Sequence, residues 1–229
     1  MTGVSTPDDP VPRRYNGRPM KVAAIWRYPI KSMRGESLAA AEFSSDGVHG
    51  DRLVQVFDRR GRLITARTHP ALLGHQGTLG ADGEPMVDGH LWTTPEAEAL
   101  VVAAVGPGAH LRRVDASRFD VLPLLIATDG ALEAFGRDAR RLRPNLVIGG
   151  VDGLQEREWE GRRLQVGVAV IALDSLRARC VMTTYDPMSL AQDPDVLRDI
   201  VRRFDGTICL NASVITPGRV AVGDSVALL

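Results

Sequence analysis

Cysteine is scarce, with only Cys180 and Cys209 in 229 residues. Two thiols cannot build a disulfide framework, and without a C-x-x-C pair they do not read as a zinc knuckle. Lysine is nearly absent too: Lys21 and Lys31 stand among 28 basic residues, the rest being arginine. Codon usage in a GC-rich genome accounts for that bias at most positions. The five histidines, His49, His69, His75, His90 and His110, make no i, i+4 metal pair. Gly-x-Gly-x-x-Gly and Walker sequences are missing, and the scattered Ser, His and Asp residues make no case for a hydrolase triad. No apolar run approaches the ~20 residues of a spanning helix, and the N-terminus lacks a secretory core. With 28 basic and 28 acidic residues the formal net charge is zero, so no global field draws the chain to nucleic acid or a membrane surface. The expectation is a cytoplasmic protein acting on a small molecule, its cysteines free to serve as ligand or nucleophile. Any anion site must be built locally.

What is present reads as a β-rich α+β protein, a distorted barrel with a few peripheral helices. Residues 1–20 are polar and broken by Pro7, Pro10, Pro12 and Pro19, and are expected to form a flexible tail. Structure is expected from Lys21, with 21–108 and 109–229 as two regions meeting near Gly106-Pro107-Gly108. Val22 to Trp26 reads as a buried strand, and an apolar segment follows around Leu38 to Phe43. Leu53–Phe57 and Leu63–Thr65 flank Asp58-Arg59-Arg60-Gly61 as a hairpin. Shorter strands are expected near Gln76–Leu79, Met86–Val87 and Leu91–Trp92. In the second half strands are expected at Leu146–Ile148, Val168–Ala172, Val181–Thr184, Ile208–Ile215 and Val226–Leu228. Three helices are predicted. The first has Thr94 as cap and Pro95 at its first position; the second starts near Thr128. In the third, Asp193 caps, Pro194 opens, Gly206 ends, and Leu197, Ile200, Val201 and Phe204 share a face.

Four segments carry candidate chemistry. Lys31-Ser32 follows Tyr28-Pro29-Ile30 at a strand exit, and an ammonium beside a hydroxyl suits a phosphate; alternatively Lys31 is an ordinary loop lysine. Gly50-Asp51-Arg52 leads into the next strand, where Arg52 either joins Lys31 on one anion or pairs with Asp51. Arg143 and Asn145 stand either side of Pro144. That proline disfavours helix at Arg143 and presents a fork of donors beside an amide, either for a heterocycle or as a plain connector. Cys180 follows Arg177 and Arg179, and cations beside a thiol favour the thiolate. Thr183, Thr184 and Asp186 add short polar groups after it, whereas Cys209 lies in an uncharged strand pattern and reads as core.

Taken in order, these segments resemble the MOSC family, named for the C-terminal domain of molybdenum cofactor sulfurases. Tyr28–Ser32, Gly50-Asp51-Arg52 and Thr65-Ala66-Arg67 look like motifs of the family's N-terminal β-barrel region. Arg143-Pro144-Asn145, Trp159 with Leu164–Gly167, Arg179-Cys180 through Asp186-Pro187, and Pro217-Gly218 with Gly223-Asp224 look like the MOSC domain itself. The resemblance covers about residues 21 to 229. It implies a Mo-molybdopterin cofactor, with Cys180 as metal ligand and, with Asp186, as the catalytic group. Lys31, Ser32 and Arg52 would hold the cofactor's phosphate. Arg143 and Asn145 would take the pterin side, Arg179, Thr183 and Thr184 would flank the ligand, and Arg67 would line the substrate mouth. Thiolate also suits a soft-leaning metal.

The reductase branch of the family implies an oxidoreductase that takes oxygen from N-hydroxylated or N-oxide compounds. No stretch looks like an iron–sulfur segment, so electrons are expected from a separate donor protein of flavin, iron–sulfur or haem type. The other reading is a cofactor carrier or sulfur-transfer module with a persulfide on Cys180; a third is an interaction domain with a degenerate site. Departures from the family pattern are Met33-Arg34 after the Lys-Ser pair, Leu142 where an aromatic is common, and a short segment between the halves. They touch packing and access more than the ligand set.

Overall fold

The computed structural model describes residues 18–229; residues 1–17 of the expected tail lie outside it. Met20 is already buried, and its carbonyl accepts from Val226 N at 3.0 Å.

The first half contributes β1 (Lys21–Arg27), β2 (Glu36–Leu38), β3 (Ala40–Ser44), β4 (Gly47–Val48), β5 (Val54–Phe57) and β6 (Leu63–Ile64). It continues with β7 (Gly77–Leu79), β8 (Pro85–Val87), β9 (His90–Leu91), α1 (Pro95–Val105) and β10 (His110–Arg113). The second half holds β11 (Leu124–Thr128), α2 (Asp129–Phe135), β12 (Leu146–Gly149), β13 (Arg163–Val166) and β14 (Ala169–Ala178). It ends with α3 (Asp195–Phe204), β15 (Thr207–Thr216), β16 (Gly218–Ala221) and β17 (Val226–Leu228). The predicted β-rich α+β class holds.

The main sheet runs β17-β13-β14-β15-β11-β12-β1-β2. Only β11 and β12 are parallel, joined through α2, while their neighbours are antiparallel. The sheet closes on itself, because Val22 N donates to Asp224 O at 2.9 Å and Lys21 bridges Ser225 beside β17. Inside the barrel lie Ile25, Ile126, Ile148, Leu164, Ile171, Leu210 and Trp159. Since β1 belongs to this sheet and β3 pairs with β16, the two halves of the chain are interlocked. A second core of Ile30, Met33, Val54, Val56 and Leu72 sits under α1. A third packs α2 and α3 on the outer face of the sheet.

Local sequence accounts for several ends. Thr94 caps α1, its hydroxyl accepting from Ala97 N at 3.4 Å with Pro95 at the first turn. Thr128 does the same for α2 at 3.1 Å. The apolar segment around Leu38–Phe43 divides into β2 and β3. Two expectations are corrected. Val181–Thr184 is a 3₁₀ turn, not a strand, because Thr183 and Thr184 hydroxyls bond back to the carbonyls of Cys180 and Val181 and close a local turn. On α3 the buried line is Val196, Ile200 and Phe204, at i, i+4 and i+8, while Val201 is 58% exposed. The helix starts one residue later than predicted, with Pro194 at its cap position and Asp193 Oδ1 accepting from Asp195 N at 3.0 Å.

Candidate functional site

Because β1 runs antiparallel to β12 and β12 parallel to β11, the exit of β1 and the entrances of β11 and β12 share one rim. Tyr28–Ser32, Asp120–Leu125 and Arg143–Asn145 therefore converge. The end of β14, irregular against β15, brings Arg177, Arg179 and Cys180 to the same cavity. Lys31 N donates to Val54 O at 2.9 Å and Arg52 N to Tyr28 O at 2.8 Å, fixing both loops against each other. Ser32, Arg52 and Arg143 all hold positive φ, at 72°, 52° and 57°. Such backbone is unfavourable for side-chain-bearing residues by about 1–2 kcal/mol each and collects where function holds a chain in place. Gly50 suits the position just ahead, since its φ of +82° lies in the left-handed region where a side chain is strained.

The cavity is lined by seven cations, Lys31, Arg52, Arg67, Arg141, Arg143, Arg177 and Arg179, and by one carboxylate, Asp120. On a chain of zero net charge this is a strong local positive field. Asp120 gathers three of them: Lys31 Nζ at 2.7 Å, Arg67 at 2.6 Å and Arg177 at 3.6 Å. Burial pushes the Asp120 carboxyl up, but the bond and charge of Lys31 and the charges of Arg67 and Arg177 outweigh it and hold the group below the usual carboxylate range. Burial pulls Arg67 down, yet the neighbouring Cys180 and the bond and charge of Asp120 keep it above its ordinary value. Arg143 and Arg179 have no carboxylate partner among the described residues. Burial lowers both, Arg143 to about 10. The Arg143 guanidinium lies 4.2 Å from the centre of the Tyr28 ring, and Arg179 donates to Leu142 O at 2.7 Å while its buried Nε finds no acceptor. An arginine nitrogen left without an acceptor in a cationic cavity is what an anionic ligand would satisfy.

Two family descriptions match the chain: the MOSC N-terminal beta barrel domain over residues 19–117 and the MOSC domain over residues 128–227. The chain belongs to the MOSC family. Among curated relatives, mitochondrial amidoxime-reducing component 1 of Homo sapiens is 23% identical, over 91% of this chain and 82% of that protein. Mitochondrial amidoxime reducing component 2 of Macaca fascicularis is 22% identical, over 72% of this chain and 67% of that protein. Of solved structures, the YuaD protein from Bacillus subtilis overlays with a TM-score of 0.48 at 15% identity, over 91% of this chain and 95% of that one. Family membership ties the chain to molybdenum-cofactor proteins.

In this MOSC chain the structure brings together Lys31, Ser32, Arg52, Arg67, Arg143, Asn145, Arg179, Cys180 and Thr183 on one cavity. It leaves out two residues expected there. Thr184 lines a separate recess with Val181 and Leu197. Asp186 is an anchor and not part of the cavity lining: its Oδ1 accepts from Met188 N and Ser189 N, and its Oδ2 from Arg141 at 2.9 Å. No catalytic role follows from that position. Asn145 lines the cavity but spends its amide on the fold. Its Oδ1 accepts from Leu125 N at 3.1 Å, and its Nδ2 donates to Trp26 O at 3.3 Å and Asp51 Oδ2 at 3.2 Å. Arg52 pairs with the fully buried Asp51 and also lines the cavity with Lys31. Cys209 is buried, and burial pushes its thiol up to about 12.

Sequence reasoning missed Asp120 and Arg141. Arg141 donates to the carbonyls of Thr183 and Thr184 and holds the turn that follows Cys180. Asp120 carried no local signal, since it lies in an irregular segment 53 positions from Arg67.

Proposed function

We propose that this protein is a molybdenum-cofactor oxidoreductase that reduces N-hydroxylated or N-oxide compounds, using electrons from a separate donor protein. The single observation that carries the reading is the position of Cys180: its thiol lines the same cavity as seven cations, with Arg67 and Arg177 close enough to feel its charge. A phosphorylated pterin bearing a soft metal fits this donor set, the cations and the unsatisfied Arg179 Nε meeting the phosphate and heterocycle and the thiolate meeting the metal. Among the described residues no three His, Cys, Asp or Glu side chains gather to hold a metal, so Cys180 is the single protein ligand in this reading.

When bound, the cofactor supplies the two-electron redox chemistry. The chain does the rest. Lys31 and Arg52, the latter held by strained backbone, would grip the phosphate, and Arg143 and Arg179 would take the pterin side. Arg141 and Asp186 keep the Cys180 turn rigid, and Arg67, the most exposed of the cations bonded to Asp120, meets the substrate. The cavity is narrow, about 120 Å³, and Lys31, Arg67 and Arg177 on its wall are drawn in on Asp120. A phosphate competing for these cations needs that carboxylate to move aside. The curated relatives are named as components of amidoxime reduction, which supports both the substrate class and a donor on another chain.

The test is metal and pterin analysis of the parent and the Cys180→Ser variant, with turnover of an amidoxime and a hydroxylamine by an artificial donor. Near-stoichiometric molybdenum with turnover in the parent, and pterin without molybdenum in the variant, is expected. A fully loaded parent inert on amidoximes, hydroxylamines and N-oxides overturns the reductase reading. A one-sulfur mass increase on Cys180 without turnover points instead to a carrier or sulfur-transfer role.

A further inference from the structure

Behind the cationic cavity lies a larger cleft of about 490 Å³, the size range of small-molecule sites. The two share a wall of Arg141, Arg143 and Met182, and Cys180 belongs only to the first. The walls of the second cleft are aromatic, from Trp26, Tyr28 and Tyr185. Most polar groups around it are already engaged. Glu36 is paired with Arg27 at 2.8 Å, Gln76 donates to Gly35 O at 2.6 Å, Arg140 is paired with Asp138 at 2.6 Å and Arg141 with Asp186 at 2.9 Å.

Two cations are left over. Arg34 donates to Gly74 O through one terminal nitrogen, but its buried Nε has no acceptor. Arg143 lies over Tyr28. Neither has an ion-pair partner among the described residues. Aromatic faces with two guanidinium groups that hold no ion pair favour a flat ring that carries a negative charge: the ring stacks, and the anion meets the forks of donors.

We infer that this cleft is a second binding site, separate from the cofactor cavity, for a planar aromatic acid. Such an occupant touches Arg143 from the side opposite the cavity and so couples the two sites through one side chain. This site stands whether or not its neighbour takes molybdenum.

Trp26 gives a direct signal, since Trp159 is buried in the barrel core and Trp92 is bonded to Glu84 away from the cleft. The full chain, with and without its cofactor, is titrated with 1-naphthoate, and with 1-naphthamide and cyclohexanecarboxylate as controls. Binding is followed by tryptophan fluorescence and calorimetry. Saturable quenching by naphthoate is expected in both forms, with each control weaker by about tenfold or more. Trp26→Phe should lose the quenching and keep calorimetric binding. Arg34→Gln should weaken binding. So should Ser37→Phe, which adds bulk to the cleft lining from an exposed strand position. Arg67→Gln, in the other cavity, should bind naphthoate like the parent. Absence of saturable binding overturns the inference, as does loss in Arg67→Gln with none in Arg34→Gln. Exclusion of naphthoate by bound cofactor overturns it too, because the cleft would then be part of the cofactor's own seat.

Discussion

Arg67 donates to Asp120 at 2.6 Å. The same guanidinium lines the cavity with Cys180, whose charge favours its protonated form. Displacing Asp120 from its cations therefore changes the charge that surrounds the thiol.

Asp120→Asn should therefore turn the cavity into a stronger anion site. With one negative charge removed from among seven lining cations, pyrophosphate should bind about tenfold tighter at low salt. The difference should shrink as ionic strength rises. Calorimetric titration measures it. Weaker binding in the variant would mean that Asp120 organises the cations and does not compete for their ligand.

The same carboxylate gives a pH signature. Its folded-state value lies below the ordinary one, so its ion pairs contribute stability that is present above the unfolded carboxyl pKa of about 3.9. That contribution is lost as pH falls through the lower, folded value. Melting temperatures of the parent should drop below about pH 4, and Asp120→Asn should show a shallower fall in that window. Equal slopes would remove Asp120 from the linkage.

Asn145 separates a structural role from a ligand role. Its three fold-holding bonds include one to the fully buried Asp51. Asn145→Ala should cost about 2–4 kcal/mol, since buried partners are left unsatisfied. Denaturant unfolding reads this directly. A residue serving only the pterin would leave the midpoint nearly unchanged.

Arg141→Met should loosen the turn after Cys180 by freeing the Thr183 and Thr184 carbonyls and Asp186. A loss of about 1–3 kcal/mol is expected, which lowers Tm by roughly 2–4 °C per kcal/mol at this size. Faster amide exchange confined to residues 181–190 is the matching signature; exchange rising throughout the chain would contradict a local role.

The two cysteines should separate under alkylation. Cys180 is partly exposed, whereas Cys209 is buried with its thiol pushed up to about 12. Iodoacetamide at pH 8 should modify Cys180 in the native protein and Cys209 only after unfolding, as read by mass spectrometry. Native labelling of Cys209 would show that the third core opens.

Much of this was legible in the sequence because it depends on near neighbours. Thr94 and Pro95 mark a helix start through one hydroxyl and one fixed φ. Asp58–Gly61 marks a hairpin, and Asp58 folds its carboxylate over the Arg60 and Arg62 amides. The end of β14 failed for a related reason: Val181–Thr184 has β-branched composition, but its two threonine hydroxyls bond locally and close a turn. Periodicity also misassigned Val201, because it could not say which flank of α3 the sheet would cover.

By itself the sequence determined which chemical groups were available, a rare lysine, an unpaired thiol and an excess of arginine, and the strand and helix pattern that carries them. Only the tertiary structure decided their assignments: Asp120 to Lys31 and Arg67, Asn145 to the fold, Asp186 to the loop, Thr184 to a separate recess. Those outcomes depend on strand order and loop backbone that bring distant residues into contact, Arg67 with Asp120 across 53 positions and Asp51 with Asn145 across 94. Electrostatic pairing at that range is set by where the barrel places each charge, not by the residues beside it.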